Sequence, residues 1–495
     1  MWIELIKAEA RSLLGDGQAR VGALVCIGMV ILCTVSQLEQ RAASLREHRV
    51  LLTEQERFIE SHGELNRIYE MTPLLVDPPQ LKVFASGVAL ELSPGATNEE
   101  SLSSNPFARA PFSLIFPSFD FITAVAVGLS LVAMLIGSLT IPLAAETGTL
   151  RQLLVSNVSR TQLLISKGVG ISIAVAGLLI SSVAGVIVLT WVHGAFTWTG
   201  ENAIAFALMC AVLWAYTCAN VAIGLLVGTF ARSSTNATTA AVGVWVLTTL
   251  IAPTAVLCLA RALYPLPSMA AVESQVKQLM LETRRQNMQS ATERVEARYD
   301  ALIAPLLSVR GYELKKVKRL STSELHSLLK RLGKDDYAVA RLWKLRQKEL
   351  VAVEEAEDRK YRQQFNAAIS AAQRQIQLQY AAMRIAARFV PALGTALVGT
   401  ELAGTSVSDR LEAEAQRQSF KDRLVEYAYL RILMIDAPDP WDARIDISDA
   451  PKFQYVSRRL TERLQVALPL VIPIPLVGAL ALMTACRRFR RYDAR

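Results

Sequence analysis

The chain has 495 residues, of which 52% are hydrophobic and 20% are charged, and its formal net charge at pH 7 is +9. Its mean hydropathy is +0.30, and the apolar residues form stretches long enough to cross a bilayer, which excludes an ordinary soluble enzyme and a disordered chain. The six cysteines lie in or beside apolar stretches and the four histidines are scattered. We therefore expect no metal site built from this chain's own side chains.

The apolar stretches predict the membrane topology. A helix that crosses the hydrocarbon core needs about 20 mostly apolar residues. Six windows meet this requirement, at 21–38, 121–144, 168–192, 203–230, 238–263 and 464–486. Lys and Arg concentrate in the N-terminal segment, after the second window and in the C-terminal tail, which predicts that both termini are cytoplasmic. The basic charge is thus interpreted as a topology signal, and no nucleic-acid partner is expected.

This topology predicts an all-α membrane protein with six transmembrane helices and a large, mainly helical extracytoplasmic domain between the fifth and the sixth. The expected segments are a cytoplasmic amphipathic helix (1–20), the first span (21–38), an extracytoplasmic loop with a helical extension (39–118), spans two to five (119–263) with a cytoplasmic coupling loop (145–167), the extracytoplasmic domain (264–462), the last span (463–486) and a basic cytoplasmic tail (487–495).

Helical patterns dominate the large extracytoplasmic segment. Apolar residues recur at helical spacing, which predicts helices over 268–303, 335–390 and 407–433. The tail of this segment is rich in turn residues, and a short strand is considered at 445–447. A basic stretch over 310–348 is interpreted as the solvated face of helices, with contact to anionic lipid or to an acidic partner as the alternative.

The connection between the second and third windows carries the most information: AAETGTLRQLLVSNVSRTQLLISKG. A span ends at Glu146, a turn follows, and its hydroxyls can cap a short amphipathic helix by accepting backbone N–H bonds. Such a helix on the inner face suits contact with a cytosolic partner, and a plain interfacial connector is the alternative. The candidate contact residues are Glu146, Gly148, Thr149, Leu150, Arg151, Leu153, Leu154 and Arg160.

The fourth span contains two further groups of candidate residues. Gly224 and Gly228 have the spacing that allows close helix packing. Tyr216, Thr217 and Asn220 are polar groups that either face a bundle interior or pathway, or bond to a neighbouring helix. The chain has no GxxxxGK[ST] and no GxSxG motif, so we expect a non-catalytic membrane subunit.

Several strings together resemble the permease subunits of type-2 ABC exporters, in particular the multicopper-enzyme-maturation-like branch with a large extracytoplasmic insertion before the last span. The matching strings are EARSLLGDGQAR before span one, DFITAVAVGLSLVAMLIGSLTIPLAAETGTLRQLLVSNVSRTQLLISKG, PLPS after span five, ALVGTELAGTSVSDR in the insertion and DAPKFQY before span six. The ETGTLRxLL…SR pattern is the most specific of them. The distribution of Cys and His gives no support for a copper site.

The resemblance implies a permease of the bacterial inner membrane that pairs with a second permease, identical or related, and with two cytosolic ABC ATPases. The ATPases would bind ATP and Mg²⁺, and this chain would need no cofactor. The loop over 146–160 and the N-terminal helix would transmit ATPase closure to the spans. One alternative is a mechanotransmission subunit, whose extracytoplasmic domain acts on an envelope protein without transport. Another is an anchored receptor or scaffold without an ATPase.

Overall fold

The computed structural model describes Ile6, Lys7, Glu9 and residues 17–62, 79–87, 120–155, 159–194, 196–265, 269–335, 337–434 and 451–491. Over these residues the chain is helical and contains no strand. Six helices in this part are long and apolar enough to cross a membrane. The expected all-α membrane fold is confirmed. Most of the N-terminal segment 1–20 and the tripeptide 445–447, where a strand was considered, lie outside the described residues.

The described helices follow one another in the order expected from the hydropathy pattern. In chain order they are α1 (Gly17–His62), α2 (Phe121–Glu146), α3 (Thr149–Val155), α4 (Arg160–His193), α5 (Gly200–Phe230), α6 (Ser234–Leu263), α7 (Met269–Ser308), α8 (Leu314–Val317), α9 (Thr322–Asp335), α10 (Tyr337–Ala387), α11 (Pro391–Ala403), α12 (Val407–Met434) and α13 (Leu460–Arg490). The six candidate spans are α1, α2, α4, α5, α6 and α13. Helix α1 continues far beyond the apolar window because residues 39–62 contain no Gly or Pro.

Two spans depart from regular α-helical geometry at facing positions. Helix α2 contains a π-helical stretch at Ala124–Leu129, and α6 contains another at Val246–Ile251. The indole N–H of Trp245, just before the second stretch, donates to the hydroxyl of Ser130, just after the first, at 2.9 Å. The i→i+5 bonds of a π-helix widen the turn. Because Trp245 bonds Ser130, the two widened turns lie beside one another in the bundle.

The described residues between α6 and α13 form a helical insertion. Helices α7 and α10 pack along each other, and α12 packs on α10. With 51 residues, α10 is about 75 Å long at 1.5 Å per residue. At the far end, α8 and α9 fold back on the pair and enclose a separate apolar core that includes Ile303, Leu307, Leu329 and Trp343. The insertion is therefore an elongated body with a core of its own.

Helix α11 was not predicted, and it belongs to the core of the spans rather than to the insertion. Its apolar residues, among them Leu393, Val398 and Leu402, are buried in the same cluster as the apolar residues of α2, α5 and α13. A Cβ at Gly399 would lie 2.0 Å from Cδ1 of Ile122 at the start of α2. The insertion is thus seated in the end of the span bundle through α11.

Candidate functional site

The connection from α2 to α4 starts with a tight turn. The N–H of Gly148 donates to the carbonyl of Ala145 at 3.2 Å, and Gly148 has a φ of +73°, which glycine adopts without the strain that a Cβ would introduce. The hydroxyl of Thr149 donates to the carbonyl of Ala144 at 3.2 Å. In the described contacts this hydroxyl thus bonds the carbonyl end of α2, and the prediction that hydroxyls of this turn can cap the next helix stays a prediction.

Helix α3 lies against the bundle with one face. Leu150 is 1% exposed and belongs to the core that the spans share, and Leu153 packs against that core. Arg151 and Gln152 are exposed on the other side, and the side chain of Leu154 lies outside the described part of the chain. The helix is therefore anchored by an apolar face and presents a polar face to solvent.

Glu146 connects the end of α2 to the start of α6. Its carboxylate accepts a hydrogen bond from the backbone N–H of Ser234, the first residue of α6, at 2.7 Å. The hydroxyl of Ser233 accepts from the N–H of Asn236 at 3.3 Å. A negative charge beside the first N–H groups of a helix is favourable because these groups lack partners within the helix and carry the positive end of the helix dipole. Glu146 therefore acts as a cap supplied by another span.

The first turn of α4 is joined to the last turn of α13. Ser159 caps α4 in a reciprocal pair of hydrogen bonds with Gln162. The guanidinium of Arg160 donates to the carbonyl of Arg490 at 3.3 Å, and the Nε of Arg490 donates to the hydroxyl of Thr161 at 3.0 Å. These contacts hold the C-terminal end of the last span at the α2–α4 connection.

The N-terminal segment reaches the same region. Lys167 and Glu9 form an ion pair at 2.9 Å, in which the two side chains are only 12% and 19% exposed. A Cβ at Gly170 would lie 2.9 Å from Cβ of Glu9, so the segment contacts α4 closely. The parts that sequence reasoning associated with a cytosolic partner therefore lie at one end of the bundle.

We refer to residues 146–155 and 159–161, Ser234 and Arg487–Arg490 as the α3 face. The α3 face and the residues beside it are strongly basic. The exposed arginines here are Arg151, Arg232, Arg487, Arg488, Arg490 and Arg491. The guanidinium of Arg488 lies over the ring of Phe230, 5.0 Å from its centroid.

The three polar candidates of α5 bond within the bundle. The hydroxyl of Tyr216 lies 3.3 Å from that of Thr249 on α6. The hydroxyl of Thr217 donates to the carbonyl of Trp214, and the amide of Asn220 donates to the carbonyl of Tyr216, both within α5 and both at 2.9 Å. Of the three, only Tyr216 contacts another span through the hydrogen bonds of the described residues.

The two glycine candidates of α5 lie where α5 meets α2. A Cβ at Gly224 would lie 2.2 Å from the carbonyl oxygen of Met134, and a Cβ at Gly228 would lie 2.5 Å from that of Ser138. A Cβ at Gly137, on α2, would lie 3.3 Å from Cα of Gly224. The two backbones are in direct contact, which larger residues would prevent. These positions lie inside the bundle, at the contact between α2 and α5.

A buried charged cluster, which sequence reasoning missed, lies where the insertion joins α13. Arg458 donates to Glu401 at 2.9 Å and to Asp409 at 2.8 Å. The hydroxyls of Tyr380 and Ser406 donate to Glu401 at 2.8 Å and to Asp409 at 2.7 Å. Glu401 is 0% exposed and Asp409 is 3% exposed. We call these five residues the hub.

The hub joins α10, α11, α12 and the segment that precedes α13. Burial raises the pKa of the Tyr380 hydroxyl well above its usual value, and the neighbouring Glu401 carboxylate raises it further. Burial alone would lower the pKa of Arg458, but the bonded carboxylates of Asp409 and Glu401 raise it overall. Arg463 approaches Asp409 to 3.8 Å. Two cations therefore compensate two buried carboxylates.

One signal in the sequence pointed to the hub. Glu401 follows the apolar and small residues of PALGTALVGT, where an unpaired charge would be costly to bury. A carboxylate in such a run implies a buried cationic partner. The partner itself was not predictable, because Arg458 is 57 residues away in the chain.

The segment 79–87 closes the same end of the bundle. Phe84 is fully buried among four aromatic rings at centroid distances of 4.5 to 6.3 Å, from Phe121, Phe196, Trp198 and Phe206. The hydroxyl of Thr405 donates to the carbonyl of Ala85 at 2.8 Å. This segment therefore connects the loop between α1 and α2 to the insertion.

Comparison with known proteins gives one match. Residues 20–302 match the family model described as ABC-2 family transporter protein. The matched range is more than half of the chain, includes the connection from α2 to α4 and ends inside α7. No curated protein and no solved structure matches the chain.

Proposed function

The chain belongs to the ABC-2 family of transporter proteins, and we propose that it is the permease subunit that couples a separate cytosolic ATPase to substrate export. The α3 face is the observation that carries this proposal. It combines a short helix, anchored by Leu150 and exposing Arg151, with hydrogen bonds beside it that join α2 to α6 and α4 to α13. A partner that pushes on α3 would act on a surface already bonded to several spans.

The route of coupling follows from those contacts. Leu150 places α3 in the core of the spans, so a displacement of α3 must repack that core. Glu146 carries the displacement to α6, and the contacts between Arg160 and Arg490 carry it to α13. The ATPase has to bind one arrangement of these spans better than another, because only differential affinity moves a conformational equilibrium.

The exposed arginines beside the α3 face support a cytoplasmic location for it. On this orientation both termini are cytoplasmic, and the insertion lies on the other side of the membrane. We place the chain in a bacterial inner membrane, together with a second permease, identical or related, and with ABC ATPases that bind the ATP and Mg²⁺. The branch of multicopper-enzyme-maturation-like permeases remains our proposed assignment within the family.

A second candidate function is mechanotransmission, in which movement of the spans drives the insertion against an extracytoplasmic protein. The seating of α11 in the span core favours it, as does the hub that joins α10, α11 and α12 to α13. A change in span packing would be carried into the insertion through these buried contacts.

Co-purification tests the coupling proposal. The full chain is extracted from its native membrane in mild detergent, and the eluate is examined by mass spectrometry and for ATP hydrolysis. We expect a roughly stoichiometric ABC ATPase with the wild type and much less with Arg151→Glu, which reverses an exposed charge without disturbing the core. The matched control is Glu201→Lys, which reverses a charge in the first turn of α5. Equal ATPase recovery with both variants, or none with the wild type, would contradict the proposal.

Resonance energy transfer separates transport from mechanotransmission. One dye is placed at Val309, 86% exposed at the far end of the insertion, and the other at Trp191, 81% exposed on α4, each through a cysteine substitution in a background that lacks the exposed Cys258. ATP with vanadate traps the ATPase in a closed state. A change in transfer on trapping supports mechanotransmission, whereas an unchanged distance favours an exporter with a static insertion.

A further inference from the structure

A cavity of about 570 Å³ lies between α10 and α12, beside the hub. Its α10 wall includes Gln377, Tyr380 and Arg384, and its α12 wall includes Leu411, with Ser408 near the start of that helix. Tyr380 belongs both to this wall and to the hub. The cavity is therefore built on the part of the insertion that is fixed to the spans.

The α10 wall offers a half-buried cationic donor. The guanidinium of Arg384 lies 5.2 Å from the ring centroid of Tyr380, and Arg384 lines the cavity. Arg374 also lines the cavity. The one carboxylate in the lining, that of Glu412, already accepts a bond from Gln416 at 3.1 Å. An anionic group in the cavity would therefore lie beside the guanidinium groups of Arg384 and Arg374, which can donate charge-assisted hydrogen bonds to it.

An exposed apolar strip leads from the cavity toward the spans. Leu378, Ile385 and Phe389 are 55%, 57% and 81% exposed, and Leu378 also lines the cavity. Leu378 and Ile385 are seven residues apart, which puts them on one side of the end of α10, and Phe389 follows in the turn after that helix. Because the next helix, α11, is buried among the spans, this strip descends to the membrane surface.

The charge of this stretch matches an anionic membrane surface. Residues 371–390 contain three arginines, at 374, 384 and 388, and no acidic residue. Basic residues beside an exposed apolar strip are the combination that binds anionic lipid headgroups and inserts among acyl chains.

We propose that the cavity binds the headgroup of an anionic phospholipid from the adjoining leaflet, with Arg384 and Arg374 contacting the phosphate and the strip of Leu378, Ile385 and Phe389 contacting the acyl chains. This site is separate from the α3 face and needs no ATPase. Its test can therefore fail or succeed independently of the proposed function.

Native mass spectrometry of the purified full chain in a neutral detergent measures the binding. Dioleoyl-phosphatidylglycerol and dioleoyl-phosphatidylcholine are titrated in parallel, and retained lipid is counted. We expect preferential retention of phosphatidylglycerol, and a retention about tenfold weaker for Arg384→Gln, the value of one hydrogen bond to a charged group. The matched control is Arg359→Gln, on the same helix, where Arg359 is 62% exposed and paired with Glu355. It should leave retention unchanged.

A second variant tests the same cavity in case Arg384→Gln does not fold. Gln377→Glu adds a negative charge at an exposed position of the lining and should also weaken retention of phosphatidylglycerol. Equal retention of the two lipids by the wild type, or unchanged retention in both cavity variants, would overturn the proposal. So would full displacement by millimolar glycerol 3-phosphate, which would identify a soluble anion as the ligand. A lipid-free dimer that dissociates on Phe389→Glu would show instead that a second copy covers the strip.

Discussion

At one end of the bundle the spans are joined by exposed polar contacts, and at the other by buried ones. The carboxylate of Glu146 and the guanidinium of Arg160 are accessible to solvent while they bond Ser234 and Arg490. At the insertion end, Glu401 and Asp409 are almost fully enclosed. Exposed polar contacts contribute little to the free energy of unfolding. Removing one partner of a buried ion pair lowers that free energy strongly, because the other charge stays buried without compensation.

This difference matches the tasks proposed for the two ends. A surface that a partner must shift is better held by weak, solvent-exposed bonds, since these re-form easily in a new arrangement. A joint that must carry movement without yielding is better built from a compensated buried cluster and from tight apolar packing such as that around Phe84. The predictions that follow test whether the two ends differ in this way.

The largest effect should come from the hub. Arg458→Met leaves two buried carboxylates without their main cation, and we expect a loss of about 3–5 kcal/mol in the free energy of unfolding. Thermal unfolding in detergent micelles measures it. The control is Arg459→Met, at an exposed neighbouring position whose side chain makes no capping bond. Adding Glu401→Gln and Asp409→Asn to Arg458→Met should restore part of the lost stability. Equal melting temperatures for Arg458→Met and Arg459→Met would contradict a stabilising role of the hub.

The second largest effect should come from the contact between α2 and α5, inside the bundle. Gly224→Ala places a methyl group 2.2 Å from the carbonyl oxygen of Met134, and overpacking of this kind costs about 1–3 kcal/mol. Gly177→Ala is the matched control, because nothing lies within 4 Å of its added Cβ and alanine favours a helix by about 0.5–1 kcal/mol over glycine. The melting temperature should fall for the first variant only. A similar change in both would mean that α2 and α5 can separate without loss.

At the α3 face a smaller effect is expected. Gly148→Val forces a β-branched residue into a left-handed conformation, at a cost of about 1–2 kcal/mol. Since an added Cβ meets no atom within 4 Å, the cost arises from the backbone alone. ATP hydrolysis by the co-purified complex should drop while membrane insertion is unchanged. Gly148→Asn should retain most activity because Asn tolerates this conformation, and identical activity in the two variants would show that the turn need not be left-handed.

The smallest effect depends on pH and concerns Glu414 in α12. Burial raises the pKa of this carboxyl above its usual 4.5, although Arg417 and Lys421 oppose the shift. The unfolded chain therefore loses its proton at a lower pH than the folded one, and stability falls as the pH rises from about 4.5 through the raised pKa. Glu414→Gln should remove this part of the pH dependence. Melting temperatures of the wild type and of Glu414→Gln at pH 4 and pH 8 measure this contribution. The same difference in melting temperature at both pH values would contradict the prediction.

The sequence by itself determined the features that depend on local patterns. The positions of the six spans follow from runs of apolar residues, and the helices predicted over 268–303, 335–390 and 407–433 follow from the helical spacing of apolar residues. The short α3 was predictable for the same reason, since Leu150 and Leu153 lie on one side of a seven-residue helix. Hydropathy and helical periodicity are properties of neighbours in the chain, so they can be read without knowing the fold.

Only the tertiary structure decided which distant groups meet. Glu146 bonds Ser234 across 88 residues, and Arg458 bonds Asp409 across 49. The burial of α11 among the spans was likewise hidden, because an apolar run of 13 residues is too short to predict a span and carries no sign of what will cover it. The charge or hydrophobicity of a side chain indicates that it needs an ionic or apolar partner when it is buried. The packing of the helices decides which partner comes within bonding distance.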